Sequence, residues 1–176
     1  MTVLKFAWLI ACSLAALAAP GMAQAPSFPD RSIRIVVPFP PGGGTDVIAR
    51  VLAQGLTSEL GQTVLVENKG GASGMIGSEL VMKSPPDGYT LLFAPSSHAT
   101  LKELYPTMPF DPLRDFTAIA TVARTPYILV VHPGLEVKTV ADLLAVARAK
   151  AGSVAYASTG MGTAQHLAGE VLRRTS

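Results

Sequence analysis

The stretch Ile33-Arg34-Ile35-Val36-Val37-Pro38-Phe39-Pro40-Pro41-Gly42-Gly43-Gly44-Thr45-Asp46 decides the fold. A β-branched apolar run stops at prolines, three glycines follow, and an apolar pattern at helical spacing then begins. The unit reads as strand, bare-backbone loop and helix N-terminus. A run this apolar suits a strand buried on both faces of a parallel sheet. The loop offers free N–H groups, and the helix dipole adds roughly half a positive charge. Such a unit can cradle an anion, a carboxylate or a phosphate. Thr45 is the expected N-cap, with Asp46 in the first turn. Val47, Ile48, Val51, Leu52 and Leu56 make the expected apolar face, and Gly61 ends the helix.

The same alternation continues outward. A second strand is expected at 64–67, and Asn68-Lys69-Gly70-Gly71-Ala72-Ser73-Gly74 forms a second glycine-rich loop before a short helix at 76–83. Pro85-Pro86-Asp87-Gly88 is a turn, and a third strand at 90–94 runs into Pro95-Ser96-Ser97-His98. Prolines 106, 109 and 112 then break the pattern, and 118–122 and 128–131 read as strands. Thr139 and Asp142 form a capping-box pair for a helix carrying Val140, Leu143, Leu144 and Ala147 on one face. A short strand is expected at 154–157. The loop Ser158-Thr159-Gly160-Met161-Gly162-Thr163 then leads into a helix from Ala164. The fold class is therefore α/β with a mainly parallel sheet. The opening motif occurs twice in kind. The last helix runs to Arg174 with no further strand to pack on, so on physical grounds the second βαβ run reads as unfinished.

The first residues read as a targeting segment. Lys5 is the only charge before Asp30, and an apolar run over 6–19 is too short to span a membrane. Small residues around Ala23 and Ala25 suit a signal peptidase. Pro26 would hinder a cut after Ala25, so residues 1–23 are the expected signal peptide. Leu9-Ile10-Ala11-Cys12 only weakly imitates a lipoprotein box. Cys12 is the sole cysteine, so the exported chain has no disulfide, no catalytic thiolate and no cysteine-held metal. Loss of Lys5 leaves 13 of the 14 basic residues against 12 acidic ones. With no basic block and few aromatics, nucleic acid is not the expected partner.

Other chemistries fit poorly. A phosphate-binding Walker loop needs a Gly-Lys-Ser/Thr ending, and no lysine is present. A dinucleotide fingerprint needs glycine or alanine where Val47 stands, although Glu67 imitates its ribose-binding acid. No cofactor is expected. His98, His132 and His166 lack metal-ligand spacing, so no metal is expected either. Asp46 would repel an anion and reads first as a helix-stabilising residue. Arg50 reads as a solvated side chain. Ser96-Ser97-His98 invites a hydrolase reading, but adjacent residues cannot form a nucleophile and base of normal geometry, and Gly-x-Ser-x-Gly is absent. His166, in the first turn of the last helix, reads as capping or packing before it reads as a ligand contact.

The ordered motifs resemble the Bug family, the periplasmic substrate-binding proteins of tripartite tricarboxylate transporters. The matching stretches begin with Phe28-Pro29-Asp30-Arg31 and residues 38–46, and continue with Val66-Glu67-Asn68-Lys69 and Pro86-Asp87-Gly88-Tyr89-Thr90-Leu91-Leu92. Leu104-Tyr105, Pro109-Phe110-Asp111-Pro112 and the run from Tyr156 to Glu170 follow at family spacing. The chain departs from the pattern at Gly70 and Ser73, where the family usually has proline and more glycine, and family members continue well beyond residue 176. The resemblance implies a venus-flytrap, periplasmic-binding-protein-like fold: a signal peptide at 1–23, an N-terminal α/β domain at 24–122, and the start of a second, incomplete α/β domain at 123–176, with hinge motion near Thr125. It implies a carboxylate held in the interdomain cleft, no enzymatic activity, a periplasmic monomer, and membrane transporter subunits as partners. Gly43, Gly44, Thr45, Ser158 and Thr163 are the first expected ligand contacts. Asp46, Ser96, Ser97, Gly160 and His166 are the second. A secreted serine hydrolase using Ser96 or Ser158, or a non-functional remnant, are the alternatives. The isolated chain, lacking half of that cleft, is expected to bind weakly or not at all.

Overall fold

The computed structural model describes residues 27–150 and 152–175. The signal peptide expected at 1–23, with Cys12, lies outside the described residues. Every described strand and helix belongs to one unit of the chain, Arg31–Ser176.

Strand β1 (Ile33–Val37) forms as expected and takes the centre of a three-stranded sheet. It pairs in parallel with β2 (Val64–Asn68) on one side and β3 (Thr90–Leu92) on the other. Ile35 faces Val66 in one ladder and Leu91 in the other. Because all three strands run the same way, their C-terminal ends share one edge. The three loops that follow, beginning at Pro38, Lys69 and Phe93, therefore emerge together. Two main-chain bonds carry the ladders past the strand ends: Lys69 N–H to the Val37 carbonyl (2.8 Å) and Phe93 N–H to that of Val36 (2.9 Å). In parallel α/β sheets this edge is where ligands gather.

Helix α1 (Gly44–Leu60) follows the first loop and ends at Gly61, whose φ of 65° needs a residue without Cβ strain. Its start and its face differ from the expectation. Gly43, not Thr45, is the N-cap, and Thr45 already lies inside the helix. Val47 and Val51 are exposed (54% and 67%), while Asp46, Ala49 and Ala53 point at the sheet. The cause is the Asp46 side chain, which turns inward to bond the loop and β2 and so rotates the helix. Two small alanines then let α1 lie close on Ile33, Ile35, Val37 and Val64, with Leu52 and Leu56 at the margin. Burial of this apolar layer is what holds the α1 side of the sheet together.

Helix α2 (Met75–Met82) covers the opposite face, over the fully buried Val36. A one-turn helix α3 (Leu101–Leu104) follows a 3-10 turn at Ser96–Thr100. Helix α4 (Val140–Ala149) carries the expected capping box: Thr139 Oγ1 accepts from the Asp142 N–H (3.1 Å), and Asp142 Oδ2 accepts from the Thr139 N–H (2.9 Å). Helix α5 (Ala164–Thr175) begins where expected.

The strands expected at 118–122, 128–131 and 154–157 do not form. An extended segment becomes a strand only when its N–H and C=O groups pair with a neighbour, and among the described residues the sheet consists of β1, β2 and β3 alone. Ile119, Ile128 and Val130 consequently stand about four-fifths exposed, at 79%, 80% and 79%.

Candidate functional site

The first glycine loop is held by a carboxylate clamp. Asp46 Oδ2 accepts from the Gly42 N–H (2.9 Å) and from Arg50 Nε (3.0 Å), and Oδ1 accepts from Asn68 Nδ2 (2.9 Å). Asn68 Nδ2 also donates to the Phe39 carbonyl (3.1 Å), and its Oδ1 accepts from Arg50 Nη2 (3.0 Å). Loop, helix and the end of β2 are thus tied through one buried side chain, only 3% exposed. The Arg50 hydrogen bond, the Gly42 N–H and Asn68 together hold the Asp46 carboxyl at about 2, below its ordinary 3.8. Its negative charge is spent on Arg50, which removes much of the repulsion an anion at this end of α1 would meet. Arg50 is therefore more than a solvated side chain.

With Asp46 holding Gly42, the unpaired amides lie just beyond it. Gly43 has no side-chain cap, and Val47 N–H is the first to reach back, to the Gly43 carbonyl (3.0 Å). The N–H groups of Gly44 and Thr45 have no acceptor within the helix. Gly42, Gly43 and Gly44 are exposed, and a Cβ at Gly42 or Gly44 would meet nothing within 4 Å. Gly42 needs its glycine for φ 86°, whereas at Gly44 the absent side chain leaves the backbone open to a ligand.

The second loop is folded on itself. Thr163 is buried and its Oγ1 donates to the Gly160 carbonyl (2.7 Å), while Ser158 Oγ accepts from the Gly160 N–H (3.3 Å). His166 Nδ1 accepts from the Gly162 N–H (3.2 Å), which puts the proton of the neutral ring on Nε2. Its ring lies 6.4 Å from that of Tyr156. The loop reaches the first half of the chain at Ser73, whose hydroxyl donates to the Met161 carbonyl (2.8 Å).

A narrow crevice where the loops after β1, β2 and β3 meet is lined by Phe39, Ser73, Gly74, Ser97, His98 and Leu101, among others. Ser97 is buried there, and Ser96 is exposed at the start of the 3-10 turn. His98 turns away from both: its Nδ1 lies 3.4 Å from Ser78 Oγ, and its ring packs on Phe110 and Phe116. Nε2 is buried with no partner in hydrogen-bond geometry. Burial pushes the His98 pKa down, and the nearby Pro112 backbone offsets this only in part. Ser78 is fully buried mid-helix, which makes the pair a packing feature rather than a nucleophile and base. Among the described residues no three His, Cys, Asp or Glu side chains cluster as a metal site.

Asn68, Ser73 and Tyr105 do not stand out in the sequence as site residues, and neither does Arg50. Asn68 could have been found from its place at the C-terminal end of a strand, beside two glycine loops. Ser73 could have been found from its place between Gly71 and Gly74.

The model of the tripartite tricarboxylate transporter family receptor matches residues 48–176. Protein BugT of Bordetella pertussis is 42% identical over 161 residues, covering 90% of this chain and 49% of that protein. An Agrobacterium vitis relative is 40% identical over 165 residues, covering 93% and 48%. Among solved structures, an R. palustris protein with adipate is 39% identical with a TM-score of 0.78, covering 83% of this chain and 49% of that one. MatC from Rhodopseudomonas palustris with bound malate is 28% identical with a TM-score of 0.72, covering 83% and 51%. The periplasmic binding protein BugD is 31% identical with a TM-score of 0.67, covering 84% and 50%. The chain spans about half the length of the curated relatives it matches. It shares its α/β fold with the corresponding half of periplasmic binding proteins.

Proposed function

Because the chain belongs to the tripartite tricarboxylate transporter family of receptors, we propose that it serves as a periplasmic receptor for a small carboxylate. The observation that carries this reading is the open N-terminus of α1. Exposed Gly43 and Gly44 present unpaired amides at the C-terminal edge of a parallel sheet, held in place by the Asp46 clamp. Backbone N–H groups and the helix dipole there favour a carboxylate oxygen. The adipate and malate bound by two of the similar structures make a dicarboxylate the favoured ligand class.

In this reading the Gly43, Gly44 and Thr45 amides hold one carboxylate, and the loop carrying Ser158, Gly160 and Thr163 closes from the other side. Ser96 and Ser97 line the edge of the cleft. Ser158 and Thr163 shape their loop through the bonds they already make to the Gly160 N–H and carbonyl, so Gly160 brings the loop's exposed edge up to the ligand rather than offering a free amide. Asp46 and His166 act as positioning residues. The domain at 24–122 and the start of a second at 123–176 approach by hinge motion near Thr125. A signal peptide at 1–23 delivers the chain to the periplasm as a monomer, and membrane subunits of a transporter receive the ligand.

The test is a thermal-shift series with adipate, malate, citrate and acetate against an ionic-strength control. A ligand at about 100 times its Kd adds about 2.7 kcal/mol of stability. A saturable rise in Tm with dicarboxylates supports the reading. Identical melting in every carboxylate and in the control overturns it.

A further inference from the structure

The turn at residues 71–74 is the most strained backbone described. Four consecutive residues have positive φ: Gly71 128°, Ala72 47°, Ser73 58° and Gly74 94°. Glycine enters this region freely, but Ala72 and Ser73 do so only at a cost. A strained L-residue persists where surrounding contacts hold it. For Ser73 those contacts are visible. Its hydroxyl donates to the Met161 carbonyl at 2.8 Å and shares a hydrogen bond with Tyr105 Oη at 3.0 Å. A carbonyl can only accept, so the Ser73 proton goes to Met161. The Tyr105 hydroxyl must then donate to Ser73. The result is a directed chain, Tyr105 to Ser73 to Met161, in which each bond polarises the next.

The neighbouring contact fits the same purpose. Gly162 has φ 78°, and a Cβ there would come within 2.5 Å of Leu104 Cδ1, so the second loop sits directly on the residue before Tyr105. At its other end the 71–74 turn abuts the first loop: a Cβ on Gly74 would meet Pro38 and Phe39 at 3.4–3.5 Å. The turn therefore touches both glycine loops at once.

We propose that Ser73 is a positioning residue that ties the loop at 160–163 to the first half of the chain, presetting the approach of the second jaw before any ligand arrives. The inference rests on the reading of the two glycine loops as jaws of one cleft. It assigns the tie to a side chain rather than to the ligand. A pre-set jaw leaves less ordering to be done when a ligand binds.

The experiment is residue-resolved amide hydrogen exchange on the full 176-residue chain without ligand, comparing wild type with Ser73→Ala, Ser73→Gly and Tyr105→Phe. In the wild type the Thr163 N–H bonds the Gly160 carbonyl and the Leu167 N–H bonds that of Thr163. Loss of a hydrogen bond of ordinary strength should speed exchange at Gly162, Thr163 and Leu167 about two- to tenfold in both serine variants. The Lys69 amide in the β1–β2 region should stay unchanged. Ser73→Gly also relieves the left-handed strain, so its global Tm should hold or rise while the local tie is lost. Tyr105→Phe should give a smaller acceleration at the same amides. Wild-type exchange rates in either serine variant would overturn the proposal, as would an acceleration spread equally over Lys69. The readout uses no carboxylate, so failure of ligand binding and failure of the tie are separate results.

Discussion

Replacing Gly77 by alanine should destabilise the protein even though alanine is the better helix former. Gly77 lies in α2, buried against the sheet. A Cβ there would stand 2.8 Å from the Lys69 carbonyl oxygen and 2.9 Å from both Cα and Cβ of Pro38. These are backbone and ring atoms locked by the Lys69 to Val37 bond, so the neighbours have little room to give. Overpacking of this kind costs about 1–3 kcal/mol, and the upper part of that range applies where backbone must move. Helix propensity returns about 1 kcal/mol. The net loss is about 1–2 kcal/mol. Gly55 supplies the control: it sits in α1, is exposed, and its Cβ would meet nothing within 4 Å. Gly55→Ala should therefore gain about 0.5–1 kcal/mol from propensity alone. Urea denaturation of the two variants tests the argument. With an ordinary slope, Gly77→Ala lowers the midpoint by about 0.5–1 M and Gly55→Ala raises it. The same displacement at Pro38 and Lys69 should re-aim the first glycine loop, so carboxylate affinity falls in Gly77→Ala and holds in Gly55→Ala. Midpoint shifts of the same sign in both variants would refute the close-approach reasoning.

The clamp residue should betray itself in acid. Asp46 keeps its charge down to about 2 rather than 3.8, so its contribution is complete above about pH 4 and is lost as pH falls through about 2. Asp46→Asn should melt lower than wild type at pH 7, with the gap closing between about pH 4 and about pH 2. A constant gap across that window would contradict the clamp. Asn68→Ala strands the Asp46, Phe39 and Arg50 groups that it pairs, and should cost about 1–3 kcal/mol by chemical denaturation. Thr139→Ala removes the capping side chain of α4 and should cost about 0.5–2 kcal/mol, with the loss concentrated in the exchange of residues 139–143.

Much of the N-terminal half was legible because local signals and tertiary needs agree there. An apolar run that stops at prolines reads as a buried parallel strand, and Gly61 can end α1 because its φ is positive. The α4 capping box was legible for the same reason, since both of its bonds are local in sequence. The rotation of α1 was not legible. Val47 and Val51 look like core residues by hydropathy, and they face outward because Asp46 turns inward to bonds that include the long-range one from Asn68. The strands expected at 118–122 and 128–131 failed for the opposite reason. Their composition is that of strands, but pairing is a property of a neighbour, and none of β1, β2 or β3 pairs with them. Within the candidate site, the glycine loops and Asp46 were visible as motifs. Ser73 and Tyr105 were not, because their roles depend on contacts 88 and 32 residues apart in the chain. Ser158 and Thr163 looked like open donors in the sequence and are largely used within their own loop, while His166 caps the Gly162 N–H there.

The most direct test of the carboxylate reading follows backbone amides one by one. Titration of the isotope-labelled chain with adipate, read by amide chemical shifts, should move Gly43, Gly44 and Thr45 first and saturably, with Gly160 following and Gly42 held still by Asp46. Saturable shifts confined to other parts of the surface, with Gly43 to Thr45 unmoved, would contradict it.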